Sequence, residues 1–465
     1  MTTSRSSSHV GITRRQFMGT AAAGVAALSA RSVRGANERI GVGVIGFGLI
    51  GRILTRSFMQ QPDVAIVGFA ETYEPRLRAA VEFAGGQAAG YRDFRRLLDN
   101  KAVDAVVVAT PDHWHALMTM LACAAGKDVY VEKPLSLFVR EGRWMVDVAR
   151  RHKRVVQVGT QNRSGPNFAR ARDFFQKGKL GSLVSVQINY FRNVMPGFGN
   201  PPDGDPPPQL DWEMWQGPAP ARRYNPNRAI YHFRWFWDYS GGQMTNLGQH
   251  SLDVVHWFTG AAAPRSVYSA GGRFFLKDNC DVPDTQDAIL QYPGFNVVCQ
   301  FREATAGRDT GGMGAVVFHG TYGTMSVGRT GYEVFPDPKV NPANTVARIL
   351  GGHPVGGPQP VPEESGQFWT EKVKDDTGDA AADYRRHARN FLDCMRSRQD
   401  PVVDIESGHR VATACHLANI SLRTGRKITW DPEKEQIVGD AEASAMLVRP
   451  YRKPWDAELK ALGVG

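Results

Sequence analysis

Long apolar runs are missing from this chain. No stretch reaches the roughly 18 uninterrupted apolar residues of a membrane-spanning helix, which excludes a multi-span membrane protein. Cysteine is scarce: Cys123, Cys280, Cys299, Cys394 and Cys415 are the whole set, and none stands in C-x-x-C spacing. That excludes a zinc ribbon or dithiol motif, and an odd, scattered set argues against a disulfide framework. Such cysteines read as small buried side chains. Basic runs interleaved with aromatics are absent too, which argues against a nucleic acid partner. The formal charge is +10, but Arg5, Arg14, Arg15, Arg31 and Arg34 carry five of those charges before residue 37. The remainder is mildly basic and compatible with an anionic substrate.

The N-terminus carries "TRRQFMGTAAAGVAALSA" (13–30): paired arginines, a short apolar stretch and small residues near its end. This is the layout of a signal peptide, and Arg14-Arg15 before Phe17 is similar to the twin-arginine type. Residues 1–36 are expected to be such a signal, cleaved between Ser29 and Ala36. The mature protein would then be periplasmic, exported already folded, and without a membrane span. Folding before export fits the lone cysteines, since the core would form in a reducing compartment.

"ERIGVGVIGFGLIGR" follows, an aliphatic strand running into Gly46-x-Gly48-x-x-Gly51 and then a helix. In a dinucleotide fingerprint, Gly46 permits the tight turn, Gly48 lets the backbone approach a pyrophosphate, and Gly51 lets helix pack on strand. The helix N-terminus, with Phe47, Leu49 and Ile50, offers free N–H groups to phosphate. A second strand, "VAIVGFA", ends at Glu71, twenty residues after Gly51, where an acid can hold ribose hydroxyls and favour NAD. Arg76 lies close enough to leave NADP open. Strands and helices keep alternating to about residue 160, which predicts a doubly wound parallel sheet of the Rossmann type. Three segments then end at the ligand side of that sheet: "ATPDHWH" (109–115), "EKPLS" (132–136) and "GTQNRS" (159–164). His113 and His115 form an H-x-H pair without an apparent third ligand, so no metal is expected. A histidine at a loop-to-helix junction beside the cofactor is the preferred reading.

"GVIGFGLIG", "TPDHWHALMTMLACAAGKDVYVEKPLS" and "GGQMTNLGQHSLD" together resemble the glucose-fructose oxidoreductase / inositol dehydrogenase family, Gfo/Idh/MocA, from about residue 38 to about 430. The resemblance implies a Rossmann domain (37–160) and a C-terminal α/β domain (161–430) whose open, mostly antiparallel sheet backs the active site and mediates homo-oligomers. Runs such as "LVSVQINYF", "DAILQY" and "NVVCQFR" independently read as strands of that second sheet. Residues 431–465 would be a C-terminal tail. The proline-rich "PGFGNPPDGDPPPQL" (196–210) reads as a loop, either a lid or a surface insertion. Residues 305–315 and 350–366 are further Gly/Pro-rich loops.

The resemblance also implies site residues. The family's catalytic lysine falls on Lys133 and its histidine base on His250. Thr110, Pro111, His115, Glu132, Lys133 and Gln161 would border the cofactor. The usual aspartate four residues before the histidine is Asn246 here, which can hydrogen-bond but carries no charge. Losing that carboxylate should lower the Lys133 pKa. Arg163 is expected to contact substrate. Tyr231, Trp235 and Trp237 of "IYHFRWFWDYSGG" offer aromatic faces that suit a sugar ring or, equally, a hydrophobic core. The expected activity is NAD(P)-dependent hydride transfer at a secondary hydroxyl of a sugar, polyol or glycoside, with the cofactor held tightly because no soluble pool would replace it after export. Redox-neutral cleavage or epimerisation, and a non-catalytic sugar-binding relative, are the alternatives.

Overall fold

The computed structural model describes residues 39–305, 315–336 and 372–465. The signal-like segment lies outside them, as do most of the two Gly/Pro-rich loops. The N-terminal half alternates β1 (Ile40–Ile45), α1 (Leu49–Met59), β2 (Val64–Ala70), α2 (Glu74–Phe83), β3 (Ala89–Tyr91), α3 (Phe94–Leu98), β4 (Ala105–Val108), α4 (Asp112–Ala124), β5 (Asp128–Val131), α5 (Val139–Arg151) and β6 (Val156–Val158). All six strands are parallel in the order β3-β2-β1-β4-β5-β6. Every residue of β1, β4, β5 and β6 is buried, as expected for strands covered on both faces. The strand order reverses between β1 and β4, which opens a crevice at their carboxyl ends.

The second half contains α6 (Pro166–Gln176), β7 (Leu183–Phe191), α7 (Trp212–Gln216), α8 (Gly242–Asn246), α9 (Gly248–Thr259), β8 (Ser266–Gly272), β9 (Thr285–Tyr292), β10 (Phe295–Arg302), β11 (Val316–Gly320), β12 (Gly323–Gly328), β13 (Gly331–Pro336) and β14 (Val373–Asp375). After these come α10 (Ala380–Ser397), α11 (Ile405–Thr424), β15 (Ile428–Asp431), β16 (Gln436–Ile437), α12 (Ala441–Ala445) and α13 (Trp455–Ala461). The ten strands form one sheet, antiparallel except where β7 runs parallel to β10. The fold is therefore a Rossmann parallel sheet joined to an α/β unit with a mostly antiparallel sheet. Period-two alternation explains the second sheet's two faces. Val297, Cys299 and Phe301 of β10 enter a core shared with Val254 and Phe258 of α9 and Leu417 and Ala418 of α11. On the opposite face Tyr268 and Ile289, cross-strand partners, are each 48% exposed.

The end of the chain is not a loose tail. Helix α10 places Ala388, Phe391 and Leu392 in the same core as Val42, Leu54 and Phe58 of the first sheet's layers. Trp455, Leu459 and Leu462 join Phe94 and Trp114 in another. Trp455 packs edge-on to Trp114 with ring centres 4.8 Å apart. The proline-rich loop is pinned by asparagine side chains: Asn225 Nδ2 donates to the Pro201 carbonyl at 2.9 Å, and Asn227 Nδ2 to that of Phe198 at 3.2 Å. Its end reaches the first sheet, where the Asp211 N–H donates to the Thr72 carbonyl at 3.0 Å.

Candidate functional site

A cleft of about 110 Å³ opens at the carboxyl ends of β1, β2, β4 and β5. Its floor is the glycine loop. Gly46 has φ +89°, a left-handed conformation that favours glycine, and a Cβ there would stand 2.6 Å from the Ala109 carbonyl oxygen. A Cβ on Gly51 would come within 2.1 Å of the Gly46 oxygen, so α1 can pack this close only with hydrogen at that position. Gly48 differs: a Cβ there would meet nothing nearer than Arg76 Nη1 at 3.9 Å. The space over Gly48, at the N-terminus of α1, is free and faces unsatisfied N–H groups, which is the cradle a pyrophosphate requires. Leu49 and Ile50 line the cleft. Phe47 contributes main chain; its ring is buried against Phe69 and Phe83.

Glu71 follows β2 and bends back over the loop. Its Oε2 accepts the Phe47 N–H at 3.0 Å and its Oε1 the Tyr73 N–H at 3.1 Å. The carboxylate is thus fixed at one end of the cleft beside Arg76 and Arg92. These residues fit a dinucleotide: glycine cradle, helix N-terminus, and an acid for ribose hydroxyls.

Thr110, Pro111, His115, Glu132 and Lys133 form the wall beyond β4 and β5. Both ring nitrogens of His115 face carbonyl oxygens, Nδ1 at 2.6 Å from that of Pro134 and Nε2 at 3.0 Å from that of Thr110. Burial lowers its pKa, and a neutral ring donates to one of the two. The ring sits between the 110 and 134 segments. His113 faces the Trp215 carbonyl at 3.0 Å, and burial depresses its pKa to about 3. The two rings therefore hold main chain. Among the described residues no group of three or more His, Cys, Asp or Glu side chains could hold a metal.

Lys133 leaves the end of β5 and crosses to the second unit. Its Nζ donates to both oxygens of Asn246, the carbonyl at 2.8 Å and Oδ1 at 2.9 Å. Asn246 is oriented in turn by Gln243, whose Oε1 accepts from Nδ2 at 3.0 Å. Burial pushes the Lys133 pKa below the usual lysine value, against the opposing pull of Glu132, and Arg234 pushes it further down. Glu132 is raised by burial, and its Oε1 has no partner. His250, in the first turn of α9, is buried outside the cleft wall, with Nδ1 unpartnered. Burial and the charges of Lys133 and Arg329 hold it well below the usual histidine value, so it is neutral at neutral pH.

Besides His250, four expected contacts fall elsewhere. Arg163 does not reach the cleft: its Nε and Nη2 form a buried two-point pair with Asp253 at 2.9 and 2.7 Å. Gln161 is buried in a single turn (Gln161–Ser164) away from the lining. Trp235 belongs to a core with Trp212, Trp215 and Val282, and Trp237 packs at its margin under Arg423. Only Tyr231 of the named aromatics lines the cleft, and it is 48% exposed. Among the lining residues that escaped the sequence reading, two stand out. Trp215 carries no motif. Arg234 does carry a signal, a lone cation inside "IYHFRWFW".

The comparisons with known proteins agree with this geometry. Residues 40–160 match the family model described as an oxidoreductase family, NAD-binding Rossmann fold. Residues 189–269 and 373–457 match that of the oxidoreductase family C-terminal alpha/beta domain. The chain belongs to the Gfo/Idh/MocA oxidoreductases. Within that family it is 21% identical to myo-inositol 2-dehydrogenase of Thermotoga maritima over 406 residues, 86% of this chain and 99% of the relative. It is 26% identical over 230 residues to levoglucosan dehydrogenase of Pseudarthrobacter phenanthrenivorans, a match spanning 48% of this chain and 52% of the relative. A solved levoglucosan dehydrogenase, in complex with NADH and levoglucosan, superposes with a TM-score of 0.63 at 17% identity, covering 84% of this chain and 99% of that one. The Gfo/Idh/MocA fold thus accounts for both sheets and for the NAD-binding loop.

Proposed function

We propose that this oxidoreductase oxidises a secondary hydroxyl of a carbohydrate or polyol at the Lys133 end of the cleft. The observation that carries the reading is the geometry of Lys133. An ammonium has three donors. Two are spent on Asn246, and the third is left for an oxygen in the cleft. In that position Lys133 holds the substrate hydroxyl and stabilises negative charge developing on its oxygen. His250, neutral and with a bare Nδ1, stands behind the cleft wall and would take the proton only through an intervening group. NAD would be held over Gly46 and Gly48 at the N-terminus of α1 and by Glu71, and when bound would supply the hydride acceptor. Tyr231 provides a partly exposed ring at the mouth. Acting on inositol or levoglucosan is what the names of the matched relatives state, and it supports this substrate class.

The paired arginines Arg14-Arg15 support export of the folded protein with its cofactor aboard to the periplasm. The uncovered face around Tyr268 and Ile289 supports a homo-oligomer through the second sheet. The test is incubation of purified protein with NAD and a panel of sugars, polyols and aryl glycosides, following absorbance at 340 nm and product mass. Loss of two mass units with matching NADH is the expected result. Cleaved aglycone, or no reaction across the panel, would reject the reading.

A further inference from the structure

Arg234 is a cation at the Lys133 end of this cleft that forms no ion pair among the described residues. It sits in the turn His232–Trp235 and lines the cleft with Lys133, Asn246 and Tyr231. Its Nη1 donates to the Tyr231 carbonyl at 3.1 Å, and its guanidinium carbon stands 4.6 Å from the Phe233 ring centre and 5.2 Å from that of Tyr231. These contacts fix its direction and leave it without a paired carboxylate. Its neighbours in sequence differ: Arg222 is paired with Asp238 and Arg228 with Asp203. Among the described residues no carboxylate pairs with Arg234.

The other charges at this end do not answer it. Lys133 is a second cation, and Arg329 a third whose field reaches Lys133, His250 and Glu132. Asp112 accepts the Ser240 hydroxyl in a buried contact. Glu132 is buried, and its burial favours the neutral acid. Asn246 contributes no charge where the family resemblance implies a carboxylate. A neutral polyol would leave all this positive potential unused. A planar guanidinium with free N–H groups is matched by a carboxylate, which it binds through two parallel hydrogen bonds.

Resting on the carbohydrate reading above, we propose that the substrate is a carbohydrate bearing a carboxylate, and that Arg234 is the residue selecting it. Lys133 grips the hydroxyl that reacts, and Arg234 grips the acid group. Asn246 keeps Lys133 in place without repelling the incoming anion.

The test reads binding apart from turnover. NADH-loaded protein is titrated with D-glucuronate and D-galacturonate and with D-glucose and D-galactose, following nicotinamide fluorescence. The acids should bind at least about tenfold tighter than their neutral partners. Arg234→Gln should abolish that preference and Arg234→Lys should retain part of it, with NADH affinity measured in each variant. Equal binding of acid and neutral sugars, no binding of either acid, or a loss in Arg234→Gln that falls on NADH instead, overturns the proposal. Tight uronate binding without NADH formation from the NAD-loaded protein would sustain it while rejecting the dehydrogenase reading.

Discussion

The two ends of the cleft are built from different materials. At the Glu71 end one contiguous loop supplies main chain, with Gly46 and Gly51 set by van der Waals distances, beside the side chains of Glu71, Arg76 and Arg92. At the Lys133 end they are side chains brought together across 113 positions of sequence, Lys133 on one unit and Asn246 on the other. A main-chain cradle tolerates no added atoms but needs no particular functional group. A side-chain cluster depends on the chemistry of each member. Substitutions at the two ends should therefore fail in different ways.

The largest effect is expected from Lys133→Met. It removes the donor that holds the reacting oxygen, and kcat should fall by about 10³-fold or more. NAD affinity, measured by fluorescence titration, should stay within a few-fold of wild type. A parallel loss of NAD binding would show that the ends are not separable. Next comes Gly51→Ala, whose methyl group would lie 2.1 Å from the Gly46 oxygen. Overpacking of that kind costs roughly 1–3 kcal/mol, visible as a lower melting temperature even without cofactor. Gly48→Ala makes the complementary prediction. Its methyl group meets no protein atom closer than 3.9 Å, so apo stability should be unchanged, while the Kd for NAD rises by about tenfold as the phosphate approach is blocked. An equal melting-point drop in both glycine variants would erase the distinction between packing and binding roles.

The smallest effect is a shift in pH dependence. Burial lowers the Lys133 pKa, and the reaction needs the ammonium form. Activity is thus kept below that pKa and lost as pH rises through it. Asn246→Asp adds a negative charge at hydrogen-bond distance, which favours the ammonium. The basic limb of the kcat/KM profile should move up by about one unit. An unmoved limb would mean that Lys133 does not titrate there.

This contrast also explains what could be read from the sequence. The glycine loop, Glu71 and the alternation of strands and helices were legible because each is local and periodic. Lys133 and Asn246 were reached only through the resemblance to a family, since nothing local to "VEKPL" says where an ammonium points. Arg163 was misassigned because its true partner, Asp253, lies 90 residues away and only folding brings it near. Trp235 was misassigned because core and sugar platform look alike in a run of aromatics, and burial is decided by neighbours such as Trp212 and Val282. His115 was placed beside the cofactor pocket, but its seat between Thr110 and Pro134 depends on two carbonyls invisible in any motif. Arg234 lacked a family motif, yet an arginine surrounded by Tyr, Phe and Trp is itself a question to ask of a sequence.

Helix α13 ties distant parts of the sequence into one core. Trp455 and Leu459 pack with Phe94 and Trp114, so the nucleotide-binding half draws part of its interior from residues far downstream of its own strands. Trimming those side chains should therefore soften the first sheet as well as the second, because neither keeps a core wholly its own.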